Sequence, residues 1–203
     1  MIDLFTFKDN QFDIAVVDPP YGIDVANMNM GAGKSKRNSK ISNRRWTSKN
    51  WDTNVPTDEY FNQLFRVSKN QIIWGGNYFN LPPCKNYIIW DKCMPDGLSF
   101  ADCEMAWTSF SGAPKIFKYS AFLDKKDKFH PTQKPVKLYD WIFNKYTHKG
   151  QSVLDTHVGS GSIRISADEY GLDFTGYETE LEYFSKQERR YADFKSQLKL
   201  FSI

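Results

Sequence analysis

The stretch VLDTHVGSGSIRISADEYGLDFTGYE (153–178) constrains the fold of this chain more than any other segment. It predicts a buried strand over 152–155, a turn containing Gly159 and Gly161, a helix, and a second strand over 173–178. Strands that alternate with helices in this way form βαβ units, which are parts of a larger parallel sheet. The stretch therefore predicts an α/β fold.

The rest of the chain supplies the other elements that such a fold needs. Short apolar runs bounded by turn residues predict strands at 12–17, 71–76, 86–92 and 103–110, and a short strand within 113–120. Helical periodicity predicts helices over 57–68, 136–148 and 180–200. In the last helix we expect a buried stripe formed by Leu181, Phe184, Tyr191, Phe194 and Leu198. With 203 residues, we expect one domain over 1–203 with a mostly parallel central sheet flanked by helices.

Composition argues against several other classes of protein. No apolar run approaches the ~20 residues that a membrane helix needs, and the segment MIDLFTFKDN lacks the basic and then apolar layout of a signal peptide. The cysteines Cys84, Cys93 and Cys103 are widely spaced and lack the CxxC pairs of a zinc site. We therefore expect a cytoplasmic protein with free thiols, no metal and no membrane segment.

The net charge of +3 conceals an uneven distribution of charge. No acidic residue lies between Asp24 and Asp52, and this interval holds seven basic residues, whereas the remainder of the chain carries 20 basic and 24 acidic groups. The interval has no helical or strand period, so we predict a mobile basic loop over 22–56 that suits a phosphate backbone. The residues predicted to bind nucleic acid are Lys34, Lys36, Arg37, Lys40, Arg44, Arg45 and Lys49.

The glycine turn after 152–155 fits one kind of ligand better than others. A phosphate-binding P-loop has Lys-Ser or Lys-Thr after its last glycine, where this chain has Ser162 and Ile163. A dinucleotide site has the pattern GxGxxG, and only GSG is present. An adenosine ligand with an amino acid and no phosphate needs one acid for its ribose and one for its ammonium group, and Glu178 and Asp155 suit these roles. This pattern favours S-adenosylmethionine.

Three motifs extend this interpretation to nearly the whole chain. They are DPPY (18–21), HPTQKP (130–135) and DTHVGSG (155–161) followed by GYE, in this order. Together they resemble the amino-group DNA methyltransferases of the β arrangement, in which the catalytic motif precedes the cofactor motif. The resemblance implies a single Rossmann-like methyltransferase domain with a circularly permuted motif order. It also implies S-adenosyl-L-methionine as cofactor, double-stranded DNA as partner, and DNA methylation of the restriction-modification kind.

The resemblance assigns a role to each residue of the DPPY motif. The carboxylate of Asp18 and the backbone carbonyl of Pro19 would accept the hydrogens of an exocyclic amine, which localises the nitrogen lone pair. Pro20 would stiffen the turn, and Tyr21 would stack on a base extruded from the duplex. Aspartate at the first position of this motif goes more often with adenine in the family. The predicted reaction is therefore site-specific methylation of adenine N6.

The resemblance also implies a set of cofactor contacts. They are Asp18, Thr132, Gln133, Lys134, Asp155, Gly159, Ser160, Gly161 and Glu178. Two positions depart from the usual D-P-F-x-G-S-G pattern of the family, because Thr156 and His157 replace proline and phenylalanine. We expect His157 to pack as the phenylalanine would. Pro83 and Cys84 imitate the Pro-Cys nucleophile of cytosine ring-carbon methyltransferases, but the motif order is reversed, so Cys84 is expected to be an ordinary turn residue.

Several alternatives and further expectations accompany this assignment. The target could instead be cytosine N4 or an adenine in RNA, and a catalytically silent nucleic-acid-binding relative is the alternative that is not an enzyme. A small target-recognition insertion is expected within 93–129, and a homodimer or partner subunit could supply further DNA contacts. A strand that relatives place further upstream is expected to be missing or reduced to IDLF (2–5). A second candidate DNA surface consists of Lys115, Phe117, Lys118, Tyr119, Phe122, Lys125, Lys126, Lys128 and Phe129.

Overall fold

The computed structural model describes residues 4–24, 52–95, 101–120, 123 and 128–200. All seven cations of the predicted basic loop lie outside these residues. Phe122, Lys125 and Lys126 of the second candidate DNA surface lie outside them as well.

A seven-stranded sheet forms the centre of the fold. Its strands are β1 (Phe12–Val17), β2 (Ser68–Trp74), β3 (Tyr87–Asp91), β4 (Cys103–Thr108), β5 (Lys115–Lys118), β6 (Ser152–Asp155) and β7 (Asp173–Gly176). They lie in the order β5-β3-β4-β2-β1-β6-β7. Strand β1 pairs in parallel with β2 and β6, and β6 pairs in parallel with β7, whereas β4 runs antiparallel to β2 and β3. The predicted α/β fold with a mostly parallel sheet is confirmed.

The helices begin where the sequence signals predict. They are α1 (Asp58–Val67), α2 (Val136–Tyr146), α3 (Ser162–Glu169) and α4 (Leu181–Leu200). The side chain of Thr57 accepts a hydrogen bond from the Tyr60 N–H and so caps α1. Pro135 precedes α2, and Gly161 precedes α3 with a φ of 73°. The starts of α1, α2 and α3 are therefore fixed by residues of suitable backbone preference or capping chemistry.

Two apolar clusters cover the two faces of the sheet. Successive side chains of a strand point to opposite faces, and β1 follows this rule. Its Ile14 and Val16 pack with Leu138 and Ile142 of α2, whereas Ala15 and Val17 pack in the cluster that contains α1. Burial of both faces explains why β1 reads as a continuous apolar run. A central strand held in this way is a rigid support for the residues that follow it.

The predicted stripe on α4 is wrong in its first half. Leu181 is 77% exposed and Phe184 is 43% exposed, whereas Tyr183 and Gln187 are buried. Tyr183 contacts the ring of His130, with ring centroids 4.3 Å apart, and the side chain of Gln187 packs against Gly161. The buried face is therefore set by these partners rather than by the most apolar side chains. Tyr191 and Phe194 are half-buried, and the side chain of Leu198 lies outside the described part of the chain.

Two further expectations from the sequence can be compared with the fold. Leu4–Thr6 form a short 3-10 helix, so the described part of IDLF is not a strand. Strands β4 and β5 fall within 93–129 and belong to the central sheet. The target-recognition insertion expected within 93–129 stays a prediction. None of the helices in the described ranges is long and apolar enough to cross a membrane.

Candidate active site

The candidate catalytic and cofactor residues meet at one edge of the sheet. Asp18 follows β1, Asp155 ends β6, and Glu178 follows β7. These three strands are parallel neighbours, so their carboxyl ends lie side by side. Because β4 runs antiparallel to β2, its first residues, which include Glu104, lie at the same edge. Sequence positions more than 130 residues apart thus converge, as ligand sites of open α/β sheets do.

Asp52 holds the backbone of the turn that begins at Asp18. Its Oδ1 accepts hydrogen bonds from the N–H groups of Tyr21, at 2.7 Å, and Gly22, at 3.1 Å. Pro19 is buried and Pro20 is half-buried within this turn. Sequence reasoning missed this role of Asp52, and its only signal was that Asp52 ends the interval without acids. The turn is therefore fixed by a buried carboxylate in addition to its two prolines.

The ring of Tyr21 is packed on more than one side. Its hydroxyl donates a hydrogen bond to Asp18 Oδ1 at 2.6 Å. Tyr78, which is 46% exposed, stacks on the ring with centroids 4.9 Å apart and planes 11° apart. Gly75 lies so close that a Cβ there would stand 2.1 Å from a Tyr21 ring carbon. The Tyr21 hydroxyl thus orients Asp18, and Tyr78 covers one face of the Tyr21 ring.

A buried cluster of charges surrounds the other oxygen of Asp18. Lys134 Nζ donates to Asp18 Oδ2 and also lies 3.1 Å from Glu104 Oε2. Glu104 pairs through Oε1 with Lys92 at 2.7 Å, and the Lys134 ammonium lies over the Trp74 ring at 5.1 Å from its centroid. Lys134 is 3% exposed. A buried cation between two carboxylates is compensated, which is the condition for keeping such a charge away from water.

The cluster shifts the pKa values of its members. Burial raises the pKa of the Asp18 carboxyl, and the charge of Lys134 opposes this rise. Burial alone would raise the pKa of Glu104 too, but Lys134 and Lys92 hold it at about 2. Burial disfavours the charged form of Lys134, yet Asp18 and Glu104 raise its pKa above the ordinary range. Lys134 and Glu104 are therefore a charged pair at neutral pH.

The turn after β6 starts with a buried acid. Asp155 Oδ1 accepts a hydrogen bond from the His157 N–H at 2.9 Å, and burial raises the pKa of the Asp155 carboxyl to about 8. The His157 ring contacts Tyr60 edge-on, and its Nδ1 lies 2.9 Å from Thr156 Oγ1. Burial lowers the pKa of His157 to about 4. In this structure His157 is a neutral packing ring, and Thr156 links it to Tyr60 through a 2.6 Å hydrogen bond.

Glu178 closes the glycine turn from the neighbouring strand. Its Oε2 accepts from the Gly159 N–H at 2.8 Å, and its Oε1 accepts from the Glu180 N–H at 2.8 Å. Gly159 and Gly161 have φ values of 54° and 73°, which side chains rarely adopt. Ser160 is buried, and its carbonyl accepts from Arg190 at 2.9 Å. The structure thus brings Asp155, the glycine turn and Glu178 together.

The HPTQKP segment lies between the glycine turn and Asp18. His130 lies beside Gly159 and packs on Tyr183, and burial lowers the pKa of its imidazole to about 3. Thr132 Oγ1 lies 3.2 Å from His130 Nδ1, and Gln133 Oε1 accepts from the Phe129 N–H at 3.2 Å. In this structure Thr132 and Gln133 shape the segment, whereas Lys134 contacts Asp18 directly.

Comparisons with known proteins identify relatives of this chain. A model of the DNA methylase family matches residues 73–189. The chain is similar to the type II methyltransferase M2.MboI of Moraxella bovis, with 28% identity over 149 residues that cover 73% of this chain and 50% of that protein. It is also similar to M2.DpnII of Streptococcus pneumoniae, with 30% identity over 142 residues that cover 69% of this chain and 48% of that protein. The chain thus spans about half the length of these curated relatives.

Solved structures share the fold at low sequence identity. A complex of M1.HpyAVI with SAM has a TM-score of 0.55 and 21% identity, and covers 92% of this chain and 90% of that chain. The cytosine-N4-specific PvuII DNA methyltransferase has a TM-score of 0.59 and 13% identity, and covers 93% of this chain and 82% of that chain. The predicted family is confirmed by the family model, which matches more than half of the sequence. The chain belongs to the DNA methylase family of N6 and N4 amino-group methyltransferases.

Proposed function

We propose that this chain transfers a methyl group from S-adenosyl-L-methionine to the N6 amino group of an adenine in double-stranded DNA. The observation that carries the proposal is the pairing of β1 with β6, in which Ala15 lies opposite Leu154. This pairing sets the Asp18 carboxylate beside the glycine turn after Asp155. The Asp18 carboxylate, which would accept the amine hydrogen, is thus a neighbour of the glycine turn, which would bind the adenosine part of the cofactor.

The residues at the ends of β6 and β7 fit this cofactor. Asp155 forms no ion pair with any lysine or arginine in the described ranges, and burial raises its pKa to about 8. The group is therefore mostly protonated at neutral pH without a ligand, and a cation such as the ammonium group of methionine would stabilise its ionised form. Each oxygen of Glu178 accepts one backbone N–H, and an ionised carboxylate has lone pairs left for the two ribose hydroxyls. Gly159 has no side chain, so a ligand could approach the backbone of the turn closely. When bound, the cofactor supplies an electrophilic methyl group on its sulfonium.

Asp18 would act on the target amine through its remaining lone pairs. An aryl amine is a weak nucleophile because its lone pair is delocalised into the ring. Tyr21 and Lys134 each donate one hydrogen bond to the carboxylate, and about four acceptor sites exist on an ionised carboxylate. Asp18 can therefore also accept an amine hydrogen, with the carbonyl of Pro19 as a second acceptor. Such acceptors are fixed before the reaction, so no reorganisation is needed when charge develops.

The base has to leave the duplex to reach this edge of the sheet. We propose that the basic segment 22–56, which directly follows Tyr21 in sequence, contacts the phosphates beside the extruded base. We propose that the base stacks on Tyr21, whose hydroxyl donates to Asp18, after Tyr78 has moved from its position on that ring. The Asp-Pro-Pro-Tyr form of the motif favours adenine, whereas the PvuII neighbour is cytosine-N4-specific.

The experiment that tests the proposal follows the transferred methyl group. The protein is incubated with radiolabelled S-adenosylmethionine and mixed-sequence duplex DNA, and in parallel with structured RNA. The nucleic acids are then digested to nucleosides and separated. We expect label in N6-methyldeoxyadenosine only. Label in N4-methyldeoxycytidine would refute the adenine assignment, label in RNA would refute the DNA assignment, and no label in either would favour the silent relative.

A further inference from the structure

Glu104 lies behind the candidate catalytic carboxylate and reaches it through Lys134. Its Oε2 is 3.1 Å from Lys134 Nζ, and its Oε1 is 2.7 Å from Lys92 Nζ. Asp18, Lys134, Glu104 and Lys92 thus form a chain of alternating charges. It starts at the candidate active site and leads through β4 to the residue that follows β3.

We propose that Glu104 is a positioning residue, which keeps Lys134 charged and in place while Asp18 takes up a proton from the methylated amine. The inference rests on the proposed function. After methyl transfer the nitrogen carries a positive charge, and it becomes neutral when one N–H bond breaks. The electron pair of that bond returns to nitrogen, and the proton goes to the Asp18 carboxylate that already accepts this hydrogen.

The need for a second carboxylate follows from the burial of Lys134. When Asp18 is protonated, it no longer compensates the charge of Lys134, which is 3% exposed. A buried ammonium without a counter-ion loses its proton or moves, because water does not stabilise it there. Glu104 remains ionised throughout, since Lys134 and Lys92 hold its pKa at about 2. Lys134 then keeps its position and can stabilise Asp18 again when the proton has left.

A single carboxylate would have been enough for a purely structural ion pair. The second carboxylate also acts on Asp18 across Lys134, because its negative charge makes Asp18 a stronger base. Among the described residues, the titratable groups that face Asp18 are Lys134, Glu104, Tyr21, Tyr139 and Asp155. Apart from Asp155, which stands at the cofactor turn, Glu104 is the acid among them.

The test compares Glu104→Gln with the wild-type protein in the full chain. Single-turnover methyl transfer is measured from pH 5 to pH 9, and cofactor affinity is measured by calorimetry. The titration of the Lys134 ε-methylene group is followed by NMR without cofactor. We expect a rate loss of tenfold or more, with cofactor affinity within about twofold, and the midpoint of the acid limb about one pH unit lower. Lys134 should titrate at lower pH in the variant.

Two further variants make these results specific. Glu104→Asp retains the charge, so its acid midpoint and its Lys134 titration should stay close to those of the wild type. An acid midpoint about one pH unit lower in Glu104→Asp would overturn the proposal, and this comparison does not depend on the folding of Glu104→Gln. Glu182→Gln removes an exposed acid that pairs with Lys186 on α4, and we expect no change in rate or midpoint. An unchanged acid midpoint, with equal loss of rate at every pH, would overturn the proposal, as would an unchanged Lys134 titration. Absence of methyl transfer by the wild-type protein would refute the proposed function. The Lys134 titration would still test whether Glu104 stabilises the charge of Lys134.

Discussion

Replacing Asp18 by asparagine removes one negative charge and leaves the shape of the side chain. The new amide oxygen can still accept a hydrogen bond from Tyr21, but the neutral amide no longer compensates Lys134. Lys134 retains Glu104 at 3.1 Å, so the buried cation is not left alone. Loss of a charge-assisted hydrogen bond costs about 2 kcal/mol, which is less than the roughly 5–15 kcal/mol that typically stabilises a domain. We therefore expect a folded variant that melts about 4–8 °C lower.

The expected effect on catalysis is larger than the effect on stability. Loss of one fixed electrostatic group typically costs about 10²–10³ in rate, and here the amide would also present N–H donors to the amine hydrogens. We expect single-turnover transfer to fall at least about 100-fold, with cofactor affinity within about threefold. Transfer is measured with labelled S-adenosylmethionine well below the melting temperature of the variant, and affinity is measured by calorimetry. A folded Asp18→Asn protein with a rate close to that of the wild type would refute the role of Asp18.

Three other substitutions test separate parts of the site. In Glu178→Gln, the loss of the charge that would bind the ribose hydroxyls should weaken cofactor binding about tenfold by calorimetry. The amide nitrogen cannot accept one of the two backbone N–H groups that Glu178 holds, so the melting temperature should also fall, by about 2–4 °C. Gly75→Ala combines a φ of 69° with a clash against Tyr21, so it should lower the free energy of unfolding by about 2 kcal/mol in denaturant titrations. Gly150→Ala is the control, because its φ is 85° and open space surrounds it, and it should cost only about 1 kcal/mol. His157 has a pKa of about 4 in the folded protein and an ordinary value of 6.5, so the unfolded chain binds more protons between these values and stability falls as pH falls below 6.5. His157→Phe should remove about 1 kcal/mol of the stability difference between about pH 7.5 and about pH 5.5, and an unchanged difference would contradict the assignment of His157 as a buried neutral ring.

The convergence of the motif residues could be predicted from the sequence because they follow strands of one kind. Asp18, Asp155 and Glu178 each stand at the end of a short apolar run, and parallel strands place such ends at one edge. The family resemblance then supplied their order and chemistry. Packing by His157 could also be expected, since a phenylalanine is usual at that position in the family. The structure places its ring against Tyr60.

Glu104 and the buried face of α4 could not be predicted in the same way. Glu104 stands near the start of CEMAWTSF, and only the antiparallel direction of β4 brings that start to the edge with Asp18. A local pattern does not reveal the direction of a strand. On α4, Tyr183 and Gln187 are buried in preference to Leu181 and Phe184 because His130 and Gly161 lie opposite them. The direction of β4 and the buried face of α4 both depend on contacts with residues distant in sequence. Hydrophobic periodicity carries no information about such contacts.

The central proposal is that this chain methylates the N6 amino group of adenine in DNA through Asp18. The most direct measurement is sequencing, with a readout of modified bases, of DNA from cells that lack adenine methylation of their own and express the protein. We predict N6-methyladenine at one short recognition sequence, and none in cells that express Asp18→Asn. Unmodified adenine throughout the DNA of cells that contain folded wild-type protein would contradict the account.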